Sequence, residues 1–417
     1  MVLDRIINDS WDFATANTKQ YTHCFHVYPA MMIPQIARKL IEDYKTADTK
    51  LVFDPYCGSG TTLVEAKLKG IASVGTDLNP MARLVARAKS STYDVAILKE
   101  TKMFFVSKLL LNYDKSIKVE LPTFFNIDYW FSEDVTNKLA YIKHLIFNEI
   151  DPSVRDFFLV PFSETVREAS YTRNGEFKLF RMEQTKVDIF NVNTFELFIR
   201  KVERNLKGYL EFHKDVNPSI TSDIYDFNTC GGIPKGILDK GVDLIVTSPP
   251  YGDSFTTVAY GSFSKLSNQW LHIEEAGQID KILMGGTKKQ FDIPTIHSAE
   301  LELIQLKAND IKRYQEVMLF LYEYQQSINN VSKTVKNGGI VCYVVGNRRV
   351  KDVQIPLDYI TVEFFENNGF EHLNTFVRRI PNKRMPSKNS PTNKTGELAS
   401  TMVNEYIVVL QKCTPSV

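Results

Sequence analysis

The chain has 417 residues, 43% hydrophobic and 24% charged, which is ordinary globular usage and excludes wholesale disorder. Fifty basic residues against 49 acidic ones give a net charge of +1, so a polyanionic partner must be met by local clusters of charge. Five scattered cysteines (Cys24, Cys57, Cys230, Cys342, Cys413) form no CxxC pair, which excludes a zinc ribbon and a disulfide framework. Met1 to Trp11 carries Asp4 and Asp9 and lacks the apolar core of a secretory signal. No uncharged apolar run of membrane-spanning length occurs, and a soluble, cytoplasmic setting is expected.

In chain order, Ile33 to Tyr44 predicts an amphipathic helix, Lys50 to Asp54 a buried strand and Gly58-Ser-Gly60 a tight turn. Thr61 to Lys69 predicts a helix capped by Gly70, Ala72 to Thr76 a strand ending at Asp77, and Pro80 to Ser90 another helix. Strand–helix–strand of this length is the unit of a parallel sheet. Residues 91–215 break the rhythm. They are helix-rich and aromatic, with Phe104-Phe105, Phe124-Phe125 and Tyr129-Trp130-Phe131, and hold few apolar β-runs. They read as a mostly helical insertion; further sheet elements of one large domain are the other reading.

Beyond them, Val242 to Thr247 is a continuous apolar strand, as a sheet buried on both faces requires. Arg313 to Val335 predicts a long helix ending at Asn337-Gly338-Gly339, followed by a strand from Ile340 to Val345. Ile355 to Asn367 predicts a helix stopped by Gly369, and His372 to Ile380 with Asn404 to Leu410 a last strand pair. The expected fold is α/β, a mostly parallel sheet with helices on both faces, built from residues 1–90 and 216–417 with 91–215 inserted.

Asp54-Pro-Tyr-Cys-Gly-Ser-Gly-Thr-Thr62 places a glycine turn between a buried strand and a helix. Gly58 and Gly60 let the backbone turn sharply and approach a ligand with no Cβ in the way. The spacing is not GxGxxG and no GK[ST] follows, so a phosphate cradle is disfavoured. Asp54 at the strand tip would repel a pyrophosphate but suits an ammonium group. Asp77, at the next strand tip, stands where a carboxylate commonly holds both ribose hydroxyls. Ammonium plus ribose without phosphate describes S-adenosylmethionine.

Asp243-Leu-Ile-Val-Thr-Ser-Pro-Pro-Tyr251 runs an apolar strand straight into a diproline turn. Pro249 and Pro250 fix φ and remove two backbone donors, leaving carbonyls as acceptors on a rigid turn. The Ser248 hydroxyl adds an acceptor, and Tyr251 offers a ring on which a base can stack. Such a turn suits an aromatic amino group on a base taken out of its stack.

Together the two motifs resemble those of the DNA amino-methyltransferases, which methylate N4 of cytosine or N6 of adenine. Asp54 to Thr62 is similar to the family's cofactor motif and Thr247-Ser-Pro-Pro-Tyr251 to its catalytic motif. The latter wording accompanies cytosine-N4 activity more often than adenine-N6. His26-Val-Tyr28-Pro29-Ala30 with Pro34 resembles the segment flanking the methionine end of the cofactor. Asn337 to Ile340, and Asn404-Glu405-Tyr406 with the strand to Leu410, resemble later sheet elements. The resemblance covers about residues 20–90 and 220–412, and leaves 91–215 unexplained.

It implies S-adenosylmethionine as cofactor, held by Tyr28, Pro29, Asp54, Tyr56, Cys57, Gly58, Ser59, Gly60, Thr61 and Thr62. Asp77 would take the ribose hydroxyls with the cofactor residue Leu78 beside it, Asn79 and Pro80 the adenine edge, and Asp223 the adenine amino group. Ser248, Pro249, Pro250 and Tyr251 would form the target-base pocket. No Pro-Cys dipeptide occurs, so cytosine-C5 chemistry is not expected. His23 and His26 read as packing residues, and no metal is expected. Double-stranded DNA is the implied partner, and a cognate restriction endonuclease acting independently is implied with it.

Arg378 to Lys394 gathers six basic residues (Arg378, Arg379, Lys383, Arg384, Lys388, Lys394) with no acid before Glu397, a candidate grip on phosphates. Arg173 and Lys178, in a short basic turn of the insertion, are a second candidate. Base reading is assigned to the insertion with parts of 255–310, and the loop-rich stretch from Gly252 to Gly286 is expected to close over the base. Adenine-N6 methylation, RNA guanine-N2 methylation and a non-catalytic binding module stay open as alternatives.

Overall fold

The computed structural model describes residues 4–114, 116–254, 256–273, 277–287, 289–380, 388–389, 399–400 and 402–414. Eight strands make one sheet: Arg5–Ile7 (β1), Leu51–Asp54 (β2), Ala72–Asp77 (β3), Ser222–Asp226 (β4), Val242–Thr247 (β5), Val335–Val345 (β6), Phe370–Arg379 (β7) and Asn404–Lys412 (β8). Their order is β1-β7-β8-β6-β5-β2-β3-β4. Among these described strands, only β8 runs antiparallel to its neighbours. The order reverses between β2 and β5, and a crevice opens at the carboxyl edge of such a switch point.

Strand alternation divides the core. Val52, Leu244, Val246, Cys342 and Val344 face a helix over Pro34–Tyr44 (α1), meeting Ile36, Leu40 and Ile41. Phe53, Ile245, Val341, Tyr343 and Val345 face the opposite way, against helices over Ile311–Ser332 (α2) and Leu357–Glu366 (α3). That double burial is why residues 244–246 of β5 and 340–345 of β6 read as unbroken apolar runs. Among the described residues, 91–215 adds no strand to this sheet. Its helices Glu133–Asn148, Arg155–Ala169 and Thr194–Asp215 share one apolar cluster with the sheet-packed helix Pro80–Ser90 and with Trp270.

Three local expectations are corrected. The long helix stops at Ser332, where Thr334 N bonds Val331 O at 3.0 Å. The strand after it starts at Val335 and so takes in Asn337-Gly338-Gly339, because Val242 captures Val335 as its parallel partner. The stretch from Gly252 to Gly286 contains a helix, Tyr260–Trp270. Among the described residues, no helix is long and apolar enough to cross a membrane.

Candidate active site

The carboxyl ends of β2, β3 and β5 bring the two sequence motifs together. Thr247 Oγ1 donates to Asp54 Oδ1 at 2.5 Å, and Thr62 Oγ1 donates to the Val246 carbonyl at 3.0 Å. Between them opens a cleft. Asp54, Tyr56, Cys57, Gly58, Ser59 and Thr61 line it from β2, Asp77, Leu78 and Asn79 from β3, and Ser248 and Pro250 from β5. Tyr28 and Pro29 close one side.

Gly58 and Gly60 hold φ of +47° and +79°, the region that favours glycine. A Cβ on Gly60 would lie 2.9 Å from Ala86 Cα and Cβ. Gly60→Ala therefore combines left-handed strain with overpacking. A loss of about 2–4 kcal/mol in unfolding free energy is expected from a urea titration. The Gly58 amide donates to Asp77 Oδ2 at 3.0 Å and the Asn79 amide to Asp77 Oδ1 at 2.7 Å. Each carboxylate oxygen keeps lone pairs for a ligand. Asn79 Nδ2 donates to the Tyr28 hydroxyl at 2.9 Å, and the Tyr28 ring stacks on Tyr260.

Burial pushes the Asp54 and Asp77 carboxyls up to about 6. Asp54 is opposed by hydrogen bonds from Thr247, Thr62 and Tyr56, and Asp77 by the Asn79 and Gly58 amides. A cationic ligand favours the ionised carboxylates, so its affinity falls as pH drops through about 6. Cofactor binding about 10- to 100-fold weaker at pH 5 than at pH 7.5 is expected, with proton release near pH 6 seen by calorimetry in buffers of different ionisation heat. Burial also raises the Cys57 thiol well above its ordinary value, which removes it as a nucleophile. His23 and His26 are lowered by burial to about 4 and stay neutral, bonded to Glu65 and Ser163.

Of the site residues expected from the sequence, Gly60, Thr62, Pro249, Tyr251 and Asp223 do not themselves line the cleft. Thr62 and Gly60 shape the turn. Tyr251 lies behind Ser248, with 3.1 Å between Tyr251 Oη and Ser248 Oγ. Asp223 sits inside β4 opposite Val74, three residues short of the carboxyl edge, so it does not reach the cleft. The wall past β4 is made instead by Phe227, Asn228, Thr229 and Cys230, and the tip acid Asp226 pairs with Arg83 at 2.7 Å.

Arg378, read from the sequence as a phosphate ligand, is 5% exposed and ion-paired with Glu405 at 2.8 Å. Alternation along β7 turns Arg378 inward and leaves Arg379 exposed. Lys383 and Arg384 lie outside the described residues, as does the side chain of Lys388. Arg173 and Lys178 are exposed on a loop closed by Arg173 N to Phe180 O at 2.8 Å. That loop docks on the 260–270 helix through Leu179 N to Ser262 Oγ at 2.9 Å. Sequence reasoning missed Tyr260, which lines the cleft, and the Arg348–Asp253 pair at 3.3 Å, which braces the turn beyond Tyr251. Neither carried a motif.

A family model described as DNA methylase matches residues 3–87. The type II methyltransferase M.MvaI of Kocuria varians is 39% identical over 437 aligned residues, covering 98% of this chain and 96% of that one. The chain belongs to the DNA amino-methyltransferases of the type II family. The type II methyltransferase M.BsoBI of Geobacillus stearothermophilus is 22% identical, covering 95% of this methyltransferase and 87% of its own length. The rRNA methyltransferase aviRa from Streptomyces viridochromogenes is 8% identical over 97% of this chain and 93% of its own, with a TM-score of 0.34.

The methyltransferase depends on S-adenosylmethionine, and its cleft fits that molecule. Among the described lining residues, Asp54 and Asp77 are acids and none is Lys, Arg or His. A cofactor bearing phosphates would be repelled there; a sulfonium with an ammonium and a ribose would not. Among the described residues, no group of three or more His, Cys, Asp or Glu could hold a metal ion.

Proposed function

We propose that the chain methylates the exocyclic N4 amine of a flipped cytosine in double-stranded DNA, as the protective half of a restriction–modification pair. The observation that carries this reading is the shared cleft: Asp54 and Asp77 line the same space as Ser248 and Pro250. The Thr-Ser-Pro-Pro-Tyr wording at 247–251 supports cytosine over adenine, by its resemblance to the cytosine-N4 enzymes.

S-adenosylmethionine supplies an electrophilic methyl group on a sulfonium. Tyr28, Asp54 and the Tyr56–Gly60 loop hold the methionine end, Asp77 the ribose, and Asn79 and Pro80 the adenine edge. The amine of cytosine is a poor nucleophile because its lone pair is delocalised into the ring. Ser248 Oγ accepts one of its hydrogens from the cleft wall, and the Pro249 carbonyl, which is not itself part of that lining, accepts the other once the base is seated, drawing the nitrogen toward tetrahedral geometry. The same acceptors stabilise the positive charge that develops on nitrogen, and the rigid turn supplies orientation. Exposed Arg379, Arg173 and Lys178 contact phosphates, with Lys383, Arg384 and Lys388 continuing the basic segment. The helical 91–215 region, with parts of 255–310, contributes sequence readout.

Methylated duplex DNA, digested to nucleosides and separated by mass and retention, tests the product. N4-methylcytosine is expected; N6-methyladenine would transfer the reading to the adenine enzymes.

A further inference from the structure

Ser248 can serve an amine only as an acceptor, yet a hydroxyl can equally donate. What decides its direction lies behind it. Tyr251 Oη is 3.1 Å from Ser248 Oγ and donates to Glu405 Oε1 at 3.0 Å. Glu405 is the second residue of β8, and its direct cross-strand partner on β7 is Arg378. Arg378 Nη1 donates to Glu405 Oε2 at 2.8 Å. Arg378 is 5% exposed, and the Arg379 amide next to it donates to Asp12 Oδ1 at 2.7 Å.

Each hydroxyl has one proton to give. An ion-paired carboxylate only accepts, so the phenol proton of Tyr251 goes to Glu405. Tyr251 then has only a lone pair to offer Ser248. The Ser248 proton must point back to Tyr251, and its free lone pairs face the cleft that Ser248 lines. With the carboxylate gone, Tyr251 can donate to Ser248, and the serine hydrogen can turn into the cleft against the hydrogens of the amine.

We propose that Glu405, held by Arg378, is a positioning residue that sets the direction of the Tyr251–Ser248 hydrogen bond and so makes Ser248 an obligate acceptor toward the target amine. This rests on the reading of Ser248 as the amine-binding group. Glu405 itself touches neither substrate nor cofactor in this scheme. Burial of Tyr251 and the nearby Glu405 carboxylate hold the phenol well above its ordinary pKa, which keeps the donated proton in place.

The test is Glu405→Gln, nearly the same shape, whose amide can donate to Tyr251 and reverse the relay. Single-turnover methylation of unmodified chromosomal DNA with tritiated S-adenosylmethionine is measured for the wild type, Glu405→Gln, Tyr251→Phe and the double variant. Glu405→Gln is expected to slow transfer by about tenfold or more, the order of one charged hydrogen bond. Its Kd for S-adenosylhomocysteine should stay within about twofold of the wild type, because the relay does not touch the cofactor. In the Tyr251→Phe background the same substitution should add nothing, since the phenol that transmits it is gone. A Glu405→Gln rate equal to wild type, or a full additional loss in the Tyr251→Phe background, overturns the proposal. If Glu405→Gln does not fold, Tyr251→Phe alone decides: a slowed rate supports the relay and an unchanged rate overturns it. No transfer by the wild type would remove the functional reading and this one together, whereas normal wild-type transfer with an unaffected Glu405→Gln removes this one alone.

Discussion

Ser248→Ala is expected to lower the rate of methyl transfer by about 10²–10³-fold, the size seen when one preorganised polar group is removed from a developing charge. Cofactor Kd should change by less than about twofold, because no cofactor contact is assigned to Ser248. The substitution removes one acceptor at the mouth of the diproline turn and leaves the turn itself. Pro249 and Pro250 still fix the backbone, and Thr247 still donates to Asp54. Single-turnover rates and calorimetric binding, measured on one preparation, separate the two effects. A Ser248→Ala protein with full transfer would remove the serine from the chemistry.

Asp77→Ala is expected to act on the other side of the cleft. On the proposed reading the two ribose hydroxyls lose the carboxylate that accepts their hydrogen bonds, which weakens cofactor binding by about 10²–10⁴-fold. The Gly58 and Asn79 amides also lose their acceptor, so the turn that faces the methionine end loosens with it. The unliganded protein should lose little stability. Its Asp77 is held up to about 6 by burial, above its ordinary value, so at pH 7 its ionisation opposes folding and removing it relieves that cost. Loss of the two amide bonds acts in the opposite direction. A melting temperature near that of the wild type, with no rise on adding S-adenosylmethionine, is the expected pattern by scanning fluorimetry.

The sheet was legible wherever burial on both faces wrote itself into composition. Val242-Asp-Leu-Ile-Val-Thr247 could be little else, and its bounds agree with the strand observed. Pro80–Ser90 was equally clear, with Asn79 capping Met81 and a proline in the first turn. The edge strands were not. Arg5–Ile7 is exposed along its whole length, and Ser222–Asp226 carries two acids in five residues. Their pairing comes from a neighbour's open ladder, a tertiary fact with no local signature. Asp223 was misplaced for that reason: an acid assigned to the adenine amino group lies inside a strand.

In the site, the glycine turn and the diproline turn announced themselves because each needs special backbone chemistry. Tyr260, Arg348 and Glu405 did not, since a tyrosine, an arginine or a glutamate fits many places. Glu405 and Arg378 come together only through the antiparallel register of β7 and β8. Charge counting alone sent Arg378 to the solvent; strand alternation turns it inward.

The most direct measurement is a crystal structure with S-adenosylhomocysteine and a duplex carrying the target base. The expected result has ribose hydroxyls on Asp77, the amino-acid end against the Asp54–Gly60 loop, and an everted base with its amine on Ser248 and the Pro249 carbonyl. A ligand seated away from Asp77, or a base that meets the protein far from Ser248, would contradict the single shared cleft.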